Sequence, residues 1–171
     1  MIDKNELLGW LNEKDKFLKK KITIVAVGGT AMTLLGLKSS TIDIDFCLTS
    51  VDKKAFEKIM KKENKQWKID LFVDGYIFSE QLPADYIEKA KDIRRLPHIV
   101  LKALDPIDII ITKAARLNAR DEEDIAALVR FVKKQNLVNR FERVVKTYSG
   151  KEEDYRYHFQ IILKRFFGNE K

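Results

Sequence analysis

A chain of 171 residues with 45% hydrophobic content can bury one substantial core and leaves room beyond it for at most a small helical appendage, not a second full domain. A single cysteine, Cys47, excludes an internal disulfide and leaves no thiolate cluster to hold a metal. No apolar run approaches the roughly 18 residues of a membrane span, and the start Met1-Ile2-Asp3-Lys4 has no apolar leader, so a cytoplasmic protein without a membrane partner is expected. The formal net charge is +7. From Ala126 onward eleven Lys and Arg face five Asp and Glu, so almost all of the surplus lies in the last quarter of the chain.

In chain order, Asp3 and Glu6 form a capping-box start for a helix over about Asp3–Lys20, with Leu7, Leu8, Leu11 and Leu18 as its apolar stripe. Ile22–Val27 is β-branched and apolar, as a buried strand should be. Gly28-Gly29 then allows a tight turn into a short helix over about Thr30–Leu37, whose free N–H groups and positive dipole end favour an anion such as a phosphate. A second strand follows. It puts Asp43 and Asp45 on one face roughly 6.6 Å apart and turns Ile42, Ile44, Phe46 and Leu48 inward. Ser50 or Asp52 caps a helix over Lys53–Lys62 that buries Phe56 and Ile59. A polar turn at Glu63–Gln66 leads to a strand, Trp67–Val73, that ends at Asp74-Gly75 and carries a third acid, Asp70.

Ser79–Arg95 reads as partly helical and Leu96–Leu104 as containing a strand. His98, between Pro97 and an apolar run, reads as a polar group at a strand start. Asp105-Pro106-Ile107-Asp108 is a strong helix start, with an N-cap acid, proline at the first position and an acid three residues past the cap. On that helix Lys113, Arg116 and Arg120 stand at i, i+3 and i+7 and are expected to share one face that binds nucleotide phosphates. Asp121 and Asp124 give the next helix its cap spacing. Leu137, Phe141, Val144, Val145 and Tyr148 form one further stripe, and Tyr155, Phe159, Ile162 and Phe166 another. They predict a helical hairpin, residues 129–171, that covers the sheet or pairs with a protein partner or a second copy. Lys133, Lys134, Arg140 and Arg143 make its basic end a candidate RNA surface, against the alternative of a solvated face.

Paired strand carboxylates repel unless a cation lies between them, and Mg²⁺ takes oxygen ligands from one or two carboxylates together with substrate phosphates. Val27-Gly28-Gly29, thirteen residues, then Asp43-Ile44-Asp45-Phe46 resembles the signature of the nucleotidyltransferase superfamily typified by DNA polymerase β. The resemblance implies an α/β (α+β) fold, a mixed sheet flanked by helices over residues 1–128 with a C-terminal helical extension. It also implies Mg²⁺ or Mn²⁺ held by Asp43, Asp45 and Asp70, with Asp70 as general base or second-metal ligand, and a nucleoside triphosphate seated by Gly28, Gly29 and Thr30. Lys113, followed by Arg120-Asp121 and Asp124, is similar to the K…RDxxD block of the AbiEii and MenT nucleotidyltransferase toxins. That likeness implies phosphate contacts from Lys113, with Arg116 nearby, a positioning role for Asp121 or Asp124, and a toxin–antitoxin setting. The resemblance spans Ile22–Leu128, and Gly29 stands where many members carry Ser. The expected activity is transfer of a nucleoside monophosphate to an acceptor hydroxyl on RNA or protein. The alternative is a non-catalytic module of the same fold that serves as an RNA or protein adaptor.

Overall fold

The computed structural model describes residues 1–60 and 67–168. The chain opens with β1 (Ile2–Asp3) and α1 (Lys4–Asp15). The Asp3 carboxylate accepts the Glu6 N–H while the Glu6 carboxylate accepts the Asp3 N–H, so two helix-end donors are satisfied reciprocally. α1 stops at Asp15, short of the expected Lys20, where the Asp15 carboxylate accepts the backbone N–H of His98. His98 therefore serves the sheet edge and lies outside the acid cleft. Next come β2 (Ile22–Ala26), α2 (Gly28–Leu34), β3 (Ser40–Thr41), β4 (Ile44–Leu48), α3 (Ser50–Met60) and β5 (Ile69–Val73). The polar turn expected at 63–66, and residues 61 and 62 of the helix expected before it, lie outside the described residues.

β6 (Tyr76–Ile77), β7 (Glu80–Gln81), α4 (Tyr86–Lys89), β8 (Lys91–Arg95) and β9 (Ile99–Ala103) complete the sheet region. Only one helical turn, α4, stands in the stretch expected to be partly helical. β8 reads Lys-Asp-Ile-Arg-Arg and is an edge strand, so charge protects its open edge and it shows no apolar alternation. α5 (Pro106–Ala114), α6 (Ala119–Leu128), α7 (Lys134–Val144) and α8 (Glu152–Phe167) follow.

Seven strands form one mixed sheet in the order β7-β6-β5-β4-β2-β9-β8, and β1 pairs β3 apart from it. β2 runs antiparallel to β4 and parallel to β9, while β4 runs parallel to β5. This is the open mixed sheet flanked by helices that the sequence leads one to expect. Phe46 meets Phe56 of α3 edge-on at 6.2 Å, and Trp10 of α1 meets Phe56 at 6.2 Å and Trp67 at 6.0 Å. Alternation along β4 therefore turns Asp45 and Cys47 to the opposite face, where Cys47 lies buried 3.5 Å from the Tyr86 hydroxyl.

α7 and α8 close over α5. Phe141 stacks on Phe159 at 3.8 Å with 8° between the rings, and the Tyr155 hydroxyl donates to the Ile111 carbonyl at 2.6 Å. The apolar core runs without a break from Ile2 to Phe167. Among the described residues no helix is long and apolar enough to cross a membrane.

One residue of the expected RNA surface proves to be internal. Arg140 is 5% exposed and grips Asp108 with two parallel hydrogen bonds, Nε to Oδ1 at 2.7 Å and an Nη donor to Oδ2 at 2.8 Å, while its other Nη donates to Asp85 at 2.6 Å. It joins α7 to α5 and to the residue before α4. Burial pushes the Asp108 carboxyl up even though Arg140 pulls it down, so Asp108 depends on this one cation. Arg140→Met is expected to cost about 3–5 kcal/mol, because it strands a buried carboxylate. In a thermal melt that loss corresponds to a fall of roughly 6–20 °C.

Candidate active site

Strand direction assembles the acids. The C-terminal end of β2 and the N-terminal ends of β4 and β5 meet at one edge of the fold, and the Val27 N–H donates to the Asp45 carbonyl at 3.0 Å. Asp45 and Asp70 are register partners on adjacent parallel strands, so their side chains leave the same face side by side. Asp43 sits just before β4, in a bend, and not on a common strand face with Asp45 as the spacing predicts. The same bend leaves Ile42 58% exposed, where the sequence predicts it inward. Partial burial, then the charges of Asp70 and Asp43, push the Asp45 carboxyl up to about 6, against the pull of Lys68 and Arg116. The Lys68 ammonium lies 2.7 Å from Asp70 and is the cation nearest to it.

Two hydroxyls hold that bend. Thr30 is fully buried; its hydroxyl donates to the Asp43 carbonyl at 3.1 Å and accepts the Asp45 N–H at 2.9 Å. The Thr41 hydroxyl donates to the same Asp43 carbonyl at 2.9 Å. Thr30, expected to touch the nucleotide, instead fixes the backbone on both sides of Ile44. Gly28 adopts φ +54°, and a Cβ there would stand 3.2 Å from the Asp45 carboxylate and 3.2 Å from the Phe78 ring. Only glycine lets that carboxylate come so close without strain. Gly28 is thus covered by Phe78, whereas Gly29 opens on the cleft. A Cβ at Gly29 would come within 3.0 Å of the Thr41 hydroxyl, so Thr41 fills the space beside it. Phe78 itself has φ +55°, a conformation that side-chain-bearing residues rarely adopt, and the Arg116 guanidinium lies 4.8 Å from its ring centre. Glu80, in the same turn, is fully buried with Oε1 unpartnered among the described residues, and burial raises its carboxyl to about 8.

The opposite wall of the cleft is basic. α5 ends at Ala114 and Leu117 turns back with φ +38°, so Lys113, Arg116 and Arg120 lie on different elements and not on one helix face. All three nevertheless line the same cavity of about 1070 Å³ with Asp43, Asp45 and Asp70. Lys113 is only 3% exposed: its ammonium contacts Asp121 at 3.2 Å and Asp124 at 2.7 Å. Asp124 also accepts Lys38 at 2.7 Å, and Asp121 accepts the Arg116 Nε at 2.8 Å. The next helix is capped by Asn118, with Asp121 at the third position completing a capping box. Asp121 therefore caps from inside the helix and is not its first residue. Sequence reasoning missed two cleft cations. Lys68 was legible, being two residues before Asp70 in a strand-like run; Lys38 reaches Asp124 only through the tertiary fold.

The donors near the glycine corner are all oxygens, which suits a hard divalent cation. Among the described residues no three acids, imidazoles or thiols are gathered closely enough to hold a metal by themselves. Asp43 and Asp45 fit an ion that brings the rest of its ligands as water and phosphate, the usual arrangement for Mg²⁺.

The profile of a family described as "Nucleotidyltransferase of unknown function (DUF6036)" matches residues 6–168. The match continues through α7 and α8, well past Leu128. No curated protein matches the chain.

Three outcomes follow from this geometry. Asp45 has a folded pKa near 6 against an ordinary 3.8, so its contribution is fully favourable below about pH 4 and is lost as pH rises through 6. In metal-free buffer Asp45→Asn is expected to melt above the parent at pH 7.5, with the gain gone near pH 4. Lys113→Ala takes one of two cations from each of two buried acids, while Arg116 still meets Asp121 and Lys38 still meets Asp124, and is expected to cost about 1–3 kcal/mol in denaturant unfolding. Arg120→Ala, on an exposed residue, is expected to stay within about 0.5 kcal/mol.

Proposed function

Since the chain belongs to this family of nucleotidyltransferases of unknown function, we propose that it transfers a nucleoside monophosphate from a nucleoside triphosphate to an acceptor hydroxyl on RNA or protein. The observation that carries this reading is the pairing of Asp45 with Asp70, beside Asp43, under a wall of lysine and arginine. Three carboxylates that repel one another across a cleft from several cations suit a substrate with its own negative charge and a metal ion.

In this reading Asp43 and Asp45 hold Mg²⁺ or Mn²⁺ together with the triphosphate, and the ion when bound draws charge from the transferring phosphoryl group. Gly29 gives the phosphates close backbone approach. Arg116 and Lys38, with side chains 47% and 37% exposed, and the exposed Arg120 balance their charge. Lys113 keeps Asp121 and Asp124 in place and, through Asp124, positions Lys38. Asp70 accepts the proton of the acceptor hydroxyl at a carboxylate oxygen, once Lys68 has turned from it toward phosphate. The likeness of the Lys113…Arg120-Asp121…Asp124 block to the AbiEii and MenT toxins supports a cytoplasmic toxin–antitoxin role.

Incubation with each of the four α-labelled nucleoside triphosphates, Mg²⁺ and total RNA or protein is expected to release pyrophosphate and label one acceptor. Asp43→Asn with Asp45→Asn is expected to lower the rate by at least about a hundredfold. Calorimetric binding of a triphosphate without any transfer would instead favour the non-catalytic adaptor, a reading that the Lys68–Asp70 contact also supports.

A further inference from the structure

A second recess, of about 530 Å³, opens where α5 begins. It shares no lining residue with the acid cleft. α5 separates the two: Ile107 lines this recess and Lys113 the other, about 9 Å further along the helix at 1.5 Å per residue. Neither the acids nor the proposed transfer chemistry accounts for it.

Its walls combine three kinds of group. Phe131 is 57% exposed although it lines a concavity, and the Arg130 guanidinium lies 4.7 Å from its ring centre. Asn136 and Asn139, three apart on α7, put two neutral amides on one side of the recess. The Asn139 oxygen already accepts the Gln135 amide at 2.8 Å, which leaves its own N–H₂ to donate. Lys89 and Arg143 supply positive charge. The nearby acids are engaged: Asp105 caps α5 through the Ile107 N–H at 2.8 Å, and Asp85 accepts Arg140 at 2.6 Å with Arg143 at 3.6 Å. The first turn of α7 bears no acid to repel an anion.

We infer that this recess binds single-stranded nucleic acid, one nucleotide at a time, with a base stacked on Phe131, its edge on Asn136 and Asn139, and flanking phosphates on Lys89 and Arg143. Diffuse basic charge alone would attract any polyanion. The exposed aromatic ring and the paired amides are what a splayed base needs, and the bases of a duplex, stacked and paired, cannot enter a recess of this size. The inference narrows the basic end of the chain to one cleft and removes Arg140 from the contact set, since that side chain is held by Asp108 and Asp85. Strand binding here is an equilibrium property that does not depend on transfer.

The test is fluorescence anisotropy with a labelled single-stranded RNA of mixed sequence and a blunt RNA duplex of equal length, in EDTA and without nucleotide. The parent is expected to prefer the single strand. Phe131→Ala is expected to weaken it about tenfold with an unchanged salt slope, and Phe131→Trp to retain it. Arg143→Gln is expected to reduce the salt slope by about one. Equal affinities of parent and Phe131→Ala, equal binding of the duplex, or displacement of the RNA by an equal concentration of poly-glutamate would each overturn the inference. The acid variant Asp43→Asn with Asp45→Asn separates the two proposals. Its binding should match the parent, so label transfer without Phe131-dependent binding sinks this inference alone, and Phe131-dependent binding without transfer sinks only the transfer reading.

Discussion

The structure turns on how close a carboxylate can come to a peptide backbone. Asp45 reaches the Gly28 corner because there is no side chain in its way, and the cost is a charge held near two others and partly out of water. The surrounding architecture follows from supporting it. β2 and β4 run antiparallel so that the turn after one meets the start of the other, β5 runs parallel so that Asp70 lies alongside, and two threonine hydroxyls fix the bend between. The positive wall from α5 and α6 then balances charge that the sheet has gathered.

α5 is the mechanical centre of the rest. It packs against α2, α6, α7 and α8. One end contributes Lys113 to a buried network of two acids and two further cations; near the other, Asp108 anchors Arg140. Buried ion pairs of this kind add little net stability, but they punish the loss of any one member. They hold the C-terminal helices in a single arrangement on the core.

Local signals were read correctly where chemistry is local. The Asp3 capping box, the Asp105-Pro106 start, the β-branched strand at Ile22 and the Asp74-Gly75 turn each depend on neighbours in sequence, and each is present. The acids and the basic residues of one cleft were likewise named from motif and spacing, and the fold gathers them. What escaped was non-local. Lys113 and Arg140 read as surface cations because nothing in sequence shows that acids 8 and 32 positions away close over them. Phe78 carries no motif, yet it covers Gly28. The helix break at Leu117 was hidden inside an apparent seven-residue spacing, since a left-handed residue there leaves no glycine as its mark.

The pairing of Asp45 with Asp70 also bears on how reliably the chain folds. Strand side chains alternate, so sliding β5 by a single residue against β4 would turn Asp70 to the face where Trp10, Phe46 and Phe56 meet. A carboxylate forced in among those rings would lack any partner and carry a heavy desolvation cost. The misregistered sheet would therefore be unstable. The same residue that completes the acid cleft acts, during folding, as a check on strand alignment, and a molecule that survives as folded protein has Asp70 set beside Asp45.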